Sequence, residues 1–160
     1  MDKIKTILAP TDFSELSQGG IRYALEMAEF QGAEVIIFHV ADYTDIIPYH
    51  ELHSRNLKSV QEYLNDRSTE VDKFLRKTFP ELISKVKIHI EVDVGTAHEK
   101  ILERARQKGV DMIVMSTHGR DGVAHMLIGS VTEHVVRRSP CPVLSVRPQM
   151  EAMTTEARAV

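Results

Sequence analysis

The chain has 160 residues, 42% of them hydrophobic and 27% charged, with a formal net charge of -3. That is the length of one domain with a sizeable core, it excludes a disordered composition, and it leaves no basic field to attract nucleic acid. No window approaches the ~18 to 20 consecutive apolar residues that span a bilayer, so neither nucleic acid nor membrane is an expected partner.

The chain opens on "KTILAP" (5–10), read as a first strand ended by Pro10. "TDFSE" follows, with Thr11, Asp12 and Ser14 as N-cap candidates for a helix over 14–31 stopped by Gly32. Ile21, Ala24, Leu25 and Ala28 supply its apolar face, while Gly19 and Gly20 are either sites of close backbone packing or a tolerated pair. "EVIIFHV" (34–40) is a near-continuous apolar run, as expected of a strand covered on both faces. The irregular stretch 41–54 reads as an excursion above the sheet, and a long helix over 54–79 precedes Pro80.

"KVKIHIEVDVG" (85–95) alternates, which predicts an edge strand. "TAHEKILERARQKG" (96–109) reads as a helix with a capping box of Thr96 and Glu99 and a Gly109 stop. A buried strand over 110–116, a short helix over 129–139 and a last strand "PVLSVR" (142–147) complete the pattern. Strands and helices in alternation predict an α/β fold: a single-domain, open, doubly wound, five-stranded parallel sheet flanked by four helices, Rossmann-like. The domain spans 1–148, and residues 149–160 read as a flexible tail without an apolar face.

Such sheets bind ligands at the carboxyl ends of their strands, where strand order reverses. Two stretches compete for that place, "APTDFS" after the first strand and "STHGRDG" after the fourth. In the second, Gly119 and Gly122 permit close backbone approach, His118 and Arg120 add donors, and Gly129-Ser130 opens a helix whose free N–H groups favour an anion. Together they suit a phosphate chain; the alternative is a plain glycine-rich connection. The spacing is neither that of a P-loop nor that of the dinucleotide fingerprint.

"ILAPTDFSE", "FHV" and "STHGRDGVAHMLIGSVTEHVVRRSPCPVLSVR", in register with one another, resemble the universal stress protein family over residues 2 to 148. The resemblance implies an adenine nucleotide-binding fold of the alpha hydrolase-like type. The family's nucleotide signature is glycine, two residues, glycine, nine residues, then glycine with serine or threonine. Gly119, Gly129 and Ser130 match it, whereas Ser116 stands at the first glycine, where it either weakens binding or donates a hydrogen bond. By the same resemblance Pro10, Thr11 and Asp12 border the adenosine, with Asp12 near the ribose or a phosphate-bound metal. The Val40 backbone meets the adenine edge, and Met115, Ser116, Thr117, His118 and Gly119 with Gly129, Ser130, Val131 and Thr132 cradle ribose and phosphates. For Asp12 a helix cap, and for Val40 a plain core role, are equally compatible with the residues.

The implied ligand is ATP, with AMP or ADP as alternatives and Mg²⁺ or Mn²⁺ accompanying the nucleotide. A nucleotide-responsive homodimer pairing through Pro142 to Arg147 follows from the family and from the apolar edge. No base or nucleophile accompanies the glycine turn, so at most slow ATP hydrolysis is expected. A protein–protein role with a closed pocket, and an adenylating enzyme, are the other readings. The lone Cys141 excludes an intrachain disulfide and "MDKIKTILAP" is too weakly apolar for a signal peptide, so a cytoplasmic location is expected. His50, His53, Asp45 and Glu51 lack a recognisable metal-ligand spacing, His98-Glu99 lacks a second histidine, and Arg137-Arg138 complement a helix dipole.

Overall fold

The computed structural model describes residues 3–46, 60–118 and 128–147. Five strands, β1 (Thr6–Thr11), β2 (Glu34–Ala41), β3 (Lys87–Val94), β4 (Met112–Ser116) and β5 (Val143–Val146), form one parallel sheet in the order β3-β2-β1-β4-β5. Among the described residues four longer helices, α1 (Glu15–Gln31), α2 (Val60–Thr78), α3 (Ala97–Lys108) and α4 (Ser130–Arg138), alternate with them. Residues 43–46, read from sequence as irregular, are helical, and the remainder of that excursion lies outside the described residues. So do residues 54–59 of the predicted long helix and the tail beyond Arg147.

The burial pattern explains the layering. Val35 and Ile37 of β2 join Ile21, Ala24, Leu25 and Ala28 of α1 and Val71 and Leu75 of α2 in one core. Ile36 and Phe38 point the other way, into a second core with Ile101, Leu102 and Ala105 of α3 and Val135 of α4. A near-continuous apolar strand is thereby satisfied on both faces. β3 alternates instead because it is an edge: Ile88, Ile90 and Val92 pack on the α2 side, while Lys87, His89, Glu91 and Asp93 carry ion pairs on the other.

Helix ends largely follow the sequence signals. Ser14 is the N-cap of α1, accepting from Ser17 N, and Gly32 (φ 64) and Gly109 (φ 57) close α1 and α3 in the left-handed conformation. Thr11 and Asp12 are therefore not the cap itself. The capping box expected at Thr96 and Glu99 does not form: Thr96 occupies the N-cap with an extended backbone, but its side chain makes no cap hydrogen bond. The apolar face of α3 and its Gly109 stop define this helix without that bond.

Pairing at the centre of the sheet is short. β1 pairs with β4 only through Ile7 and Leu8, although β1 runs on to Thr11 and β4 to Ser116. The cause is local. Asp111 N donates to Thr6 O, whereas Glu34 N donates to Lys5 O, so even-numbered residues of β1 turn their backbone groups to β4 and odd-numbered ones to β2. Pro10 falls in the even set and has no N–H with which to continue the ladder. Backbone pairing therefore stops there, at the point where strand order reverses.

Candidate functional site

The crevice between the carboxyl ends of β1 and β4 is built from two corners. On the β1 side, Asp12 Oδ1 accepts from Ser14 N (3.0 Å) and from Ser14 Oγ (2.6 Å), and Ser14 Oγ in turn accepts from Ser17 N at 3.1 Å. Asp12 thus stabilises the capping residue and sets a carboxylate against the positive end of α1. Ser17 Oγ donates to Ser14 O (2.8 Å), which leaves buried Thr11 Oγ1 to donate to Ser17 Oγ (3.1 Å) while it accepts from Phe13 N (3.2 Å). Phe13 holds a left-handed backbone, φ 65, unusual for an aromatic residue. Its ring packs 4.5 Å from His39 and 5.8 Å from Phe74, contacts that hold the strained turn in place.

Buried His39 donates from Nδ1 to Thr11 O at 2.9 Å, which fixes its tautomer and locks β2 to the end of β1. The neighbouring Val40 belongs to the even-numbered residues of β2, whose backbone groups face β1 as Glu34 N does. β1 ends opposite His39, so the Val40 carbonyl looks past the strand end into the crevice.

On the β4 side, Thr117 N donates to Val146 O (2.8 Å) and Gly129 N donates to Thr117 O (2.6 Å), joining β5 and the start of α4 to the strand end. Thr132 Oγ1 donates to Ser116 O at 2.9 Å, and Thr117 Oγ1 lies 2.9 Å from His118 Nδ1. Gly129 is the N-cap of α4 and has no side chain with which to cap the first-turn N–H groups of Ser130 to Thr132. Ser130 is exposed and Thr132 buried. A Cβ at Gly129 would stand 3.1 Å from Thr117 O, a tight contact, whereas its φ of -69° is open to any residue.

Ser116 does not face the crevice. Its hydroxyl accepts from Gly20 N of α1 at 3.0 Å, inside the buried α1–β4 contact. Gly20 is there for close approach, since a Cβ would come within 2.7 Å of Ser116 N and 2.8 Å of the Met115 carbonyl carbon. Met115 itself turns into the α3 and α4 core.

Of the sequence-predicted residues, Pro10, Thr11, Asp12, Val40, Thr117, His118, Gly129, Ser130, Val131 and Thr132 lie at the ends of β1, β2 and β4 or at the opening of α4, with Met115 and Ser116 buried behind them. Gly119, Arg120 and Gly122 lie outside the described residues. His39, Phe13 and Ser17 were not predicted; the signal for His39 was a polar residue inside the apolar run "IIFHV". Among the described residues no cluster of three or more His, Cys, Asp or Glu is placed to hold a metal. His50, Glu51 and His53 are not described, while His98 stacks on His134 with ring centroids 4.4 Å apart. Cys141 is half-buried beside Ser139, and Arg137 pairs with Glu133. No helix among the described residues is long and apolar enough to cross a membrane.

Comparison with known proteins agrees with this architecture. The model of the universal stress protein family matches residues 3–147. Universal stress protein MJ0577 of Methanocaldococcus jannaschii is 34% identical, over 89% of this chain and 94% of that protein, and MJ0531 of the same organism is 35% identical over 89% and 82%. The solved structure of MJ0577 superposes with a TM-score of 0.72 at 31% identity, covering 91% of this chain and 97% of that one. A universal stress protein solved in complex with cAMP shares the fold, with a TM-score of 0.64 at 22% identity over 92% and 99%. The chain belongs to the universal stress protein family.

Proposed function

We propose that the protein binds ATP, or a related adenine nucleotide, in the β1–β4 crevice and acts as a nucleotide-responsive homodimer of the cytoplasm. The observation that carries this reading is the end of β1–β4 pairing before Pro10, beside an α4 whose N-cap, Gly129, has no side chain to occupy its first turn. First-turn N–H groups and the positive helix end suit phosphates. The Val40 carbonyl, at the far side of the β1 end, suits the adenine amino group as an acceptor. The cAMP complex of a family relative supports an adenine nucleotide as the ligand class. Gly119, Arg120 and Gly122 enter as further phosphate contacts by the family resemblance. Asp12 supplies a carboxylate where Mg²⁺ or Mn²⁺ would arrive with the phosphates; the metal would neutralise phosphate charge. The chain's own part is to orient the nucleotide through backbone groups, which supports binding more strongly than turnover.

Ser116 leaves this reading intact because its hydroxyl is engaged with α1. The Ser116→Gly variant is expected to bind ATP within about twofold of the parent and to lose about 0.5–1.5 kcal/mol of stability in urea unfolding, as the bond from Gly20 N to the Ser116 hydroxyl is removed. A large gain in affinity would instead make Ser116 an obstruction. For the homodimer, β5 is the second sheet edge, and Ile113 N and Thr117 N donate to Pro142 O and Val146 O, so Val143 and Ser145 turn their backbone groups outward. The site itself is tested by backbone amide NMR: on adding ATP, signals from Asp12, Val40, His118 and Ser130 to Thr132 should shift while those of α2 and β3 stay. Shifts confined to other surfaces would reject the crevice.

A further inference from the structure

We propose that the outer edge of β3 is a self-pairing surface that takes a second copy of this chain, antiparallel, about a twofold axis at Ile90. Gly95 N donates to Ala41 O, so the odd-numbered residues of β3 turn their backbone groups to β2. The even-numbered residues Ile88, Ile90, Val92 and Val94 therefore turn theirs outward, along an edge strand of 8 residues. In an antiparallel pair those outward residues form the hydrogen-bonded positions, and the odd residues fall at the non-hydrogen-bonded positions where side chains approach more closely.

The register is decided by charge. With Ile90 opposite its own copy, Ile88 meets Val92, Lys87 meets Asp93 and His89 meets Glu91. Sliding the copy by two residues in one direction sets Glu91 against Glu91, and in the other sets His89 against His89. Only the register centred on Ile90 puts basic opposite acidic residues throughout. Each charge is already balanced in its own chain: Glu34 takes Lys87 (2.7 Å) and His89 (2.8 Å), Arg104 takes Glu91 (2.6 Å) and Asp93 (3.5 Å), and Lys108 takes Glu91 (3.0 Å). Those bonds from Lys87 and then His89 hold the Glu34 carboxyl below the usual carboxylate range. The paired strands would share these charges without leaving any buried and alone.

The apolar face agrees with the same occupant. Ile88 and Ile90 border an open groove of about 400 Å³ with Leu75, Pro80, Ile83 and Val86, and a copy centred on Ile90 continues the row with its own Ile90 and Val92 on that side. Among the described residues no strand pairs with this edge, edge strands invite pairing, and the mixed charges that guard many edges are here complementary to their own copy.

This surface is independent of β5, so the test uses a chain whose β5 edge is blocked by Ser145→Pro, at an outward-facing N–H. Sedimentation velocity from about 5 to 500 μM should then give a reversible monomer–dimer equilibrium. Ile90→Pro, which removes the axial donor while leaving the β2 ladder, should abolish it. Lys87→Asp and Asp93→Lys each set like charges opposite one another and should weaken association at least ~10-fold, and the two together should restore it to within about threefold. Circular dichroism and urea melts report whether each variant is folded; if Ile90→Pro fails, the charge reversals decide. A monomer at every concentration, or a dimer unchanged by the single reversals, would overturn the proposal.

Discussion

Gly20→Ala should destabilise the protein by about 2–3 kcal/mol, although alanine improves a helix by ~0.5–1 kcal/mol elsewhere. The reason is geometry. The added methyl would stand 2.7 Å from Ser116 N and 2.8 Å from the Met115 carbonyl carbon, both backbone atoms of a central strand that cannot rotate away. Either α1 lifts from β4 or the strand shifts, and the Gly20 N–H to Ser116 Oγ bond of 3.0 Å is lost with it. Gly19→Ala is the internal control, since its methyl would meet Val146 Cγ1 at 3.7 Å and Ser116 Oγ at 3.8 Å, ordinary contacts. That variant should be neutral or more stable by up to about 1 kcal/mol. Thermal unfolding checks both, with the Gly20 change expected to lower Tm by about 5–10 °C. Equal behaviour of the two variants would refute the close α1–β4 approach.

Gly129→Ala is expected to weaken ATP binding about tenfold or more, or roughly 1.4 kcal/mol, with a smaller loss of stability. Its Cβ would lie 3.1 Å from Thr117 O, the same atom that accepts from Gly129 N at 2.6 Å, so the joint between β4 and α4 must give by a few tenths of an ångström. The first-turn N–H groups of Ser130 to Thr132 move with that joint. Phosphate binding through backbone groups depends on their direction, and no side-chain rotamer can compensate. The β1 corner, with Asp12, Ser14 and Ser17, is untouched by this change. Fluorescence or calorimetric titration of the folded variant separates lost affinity from lost protein.

What the sequence disclosed, and what it withheld, follows from the range of the interactions. The apolar run of β2, the alternation of β3 and the glycine stops at Gly32 and Gly109 are local signals, and each element sits within a few residues of its expected place. The edge position of β3 was legible because Lys87, His89, Glu91 and Asp93 alternate with apolar residues. Capping was legible in type but not in detail: Ser14, not Asp12, is the cap, and Thr96 caps without a side-chain bond because α3 is secured by its buried Ile101, Leu102 and Ala105. Long-range contacts were hidden. Nothing within "LSQGGIR" says that Gly20 rests on Ser116, 96 residues away, and nothing near Ser116 says that its hydroxyl turns to α1. His39 and Phe13 belong to the site's support for the same reason: their partners, Thr11 O and Phe74, are assembled only by the fold.

The most direct measurement is calorimetric titration of the purified, nucleotide-stripped protein with ATP, with and without Mg²⁺. A micromolar Kd, near -8 kcal/mol, that falls away in Gly129→Ala but persists in Ser116→Gly is the expected result. No heat with ATP, ADP, AMP or cAMP at any protein concentration would contradict nucleotide binding in the β1–β4 crevice.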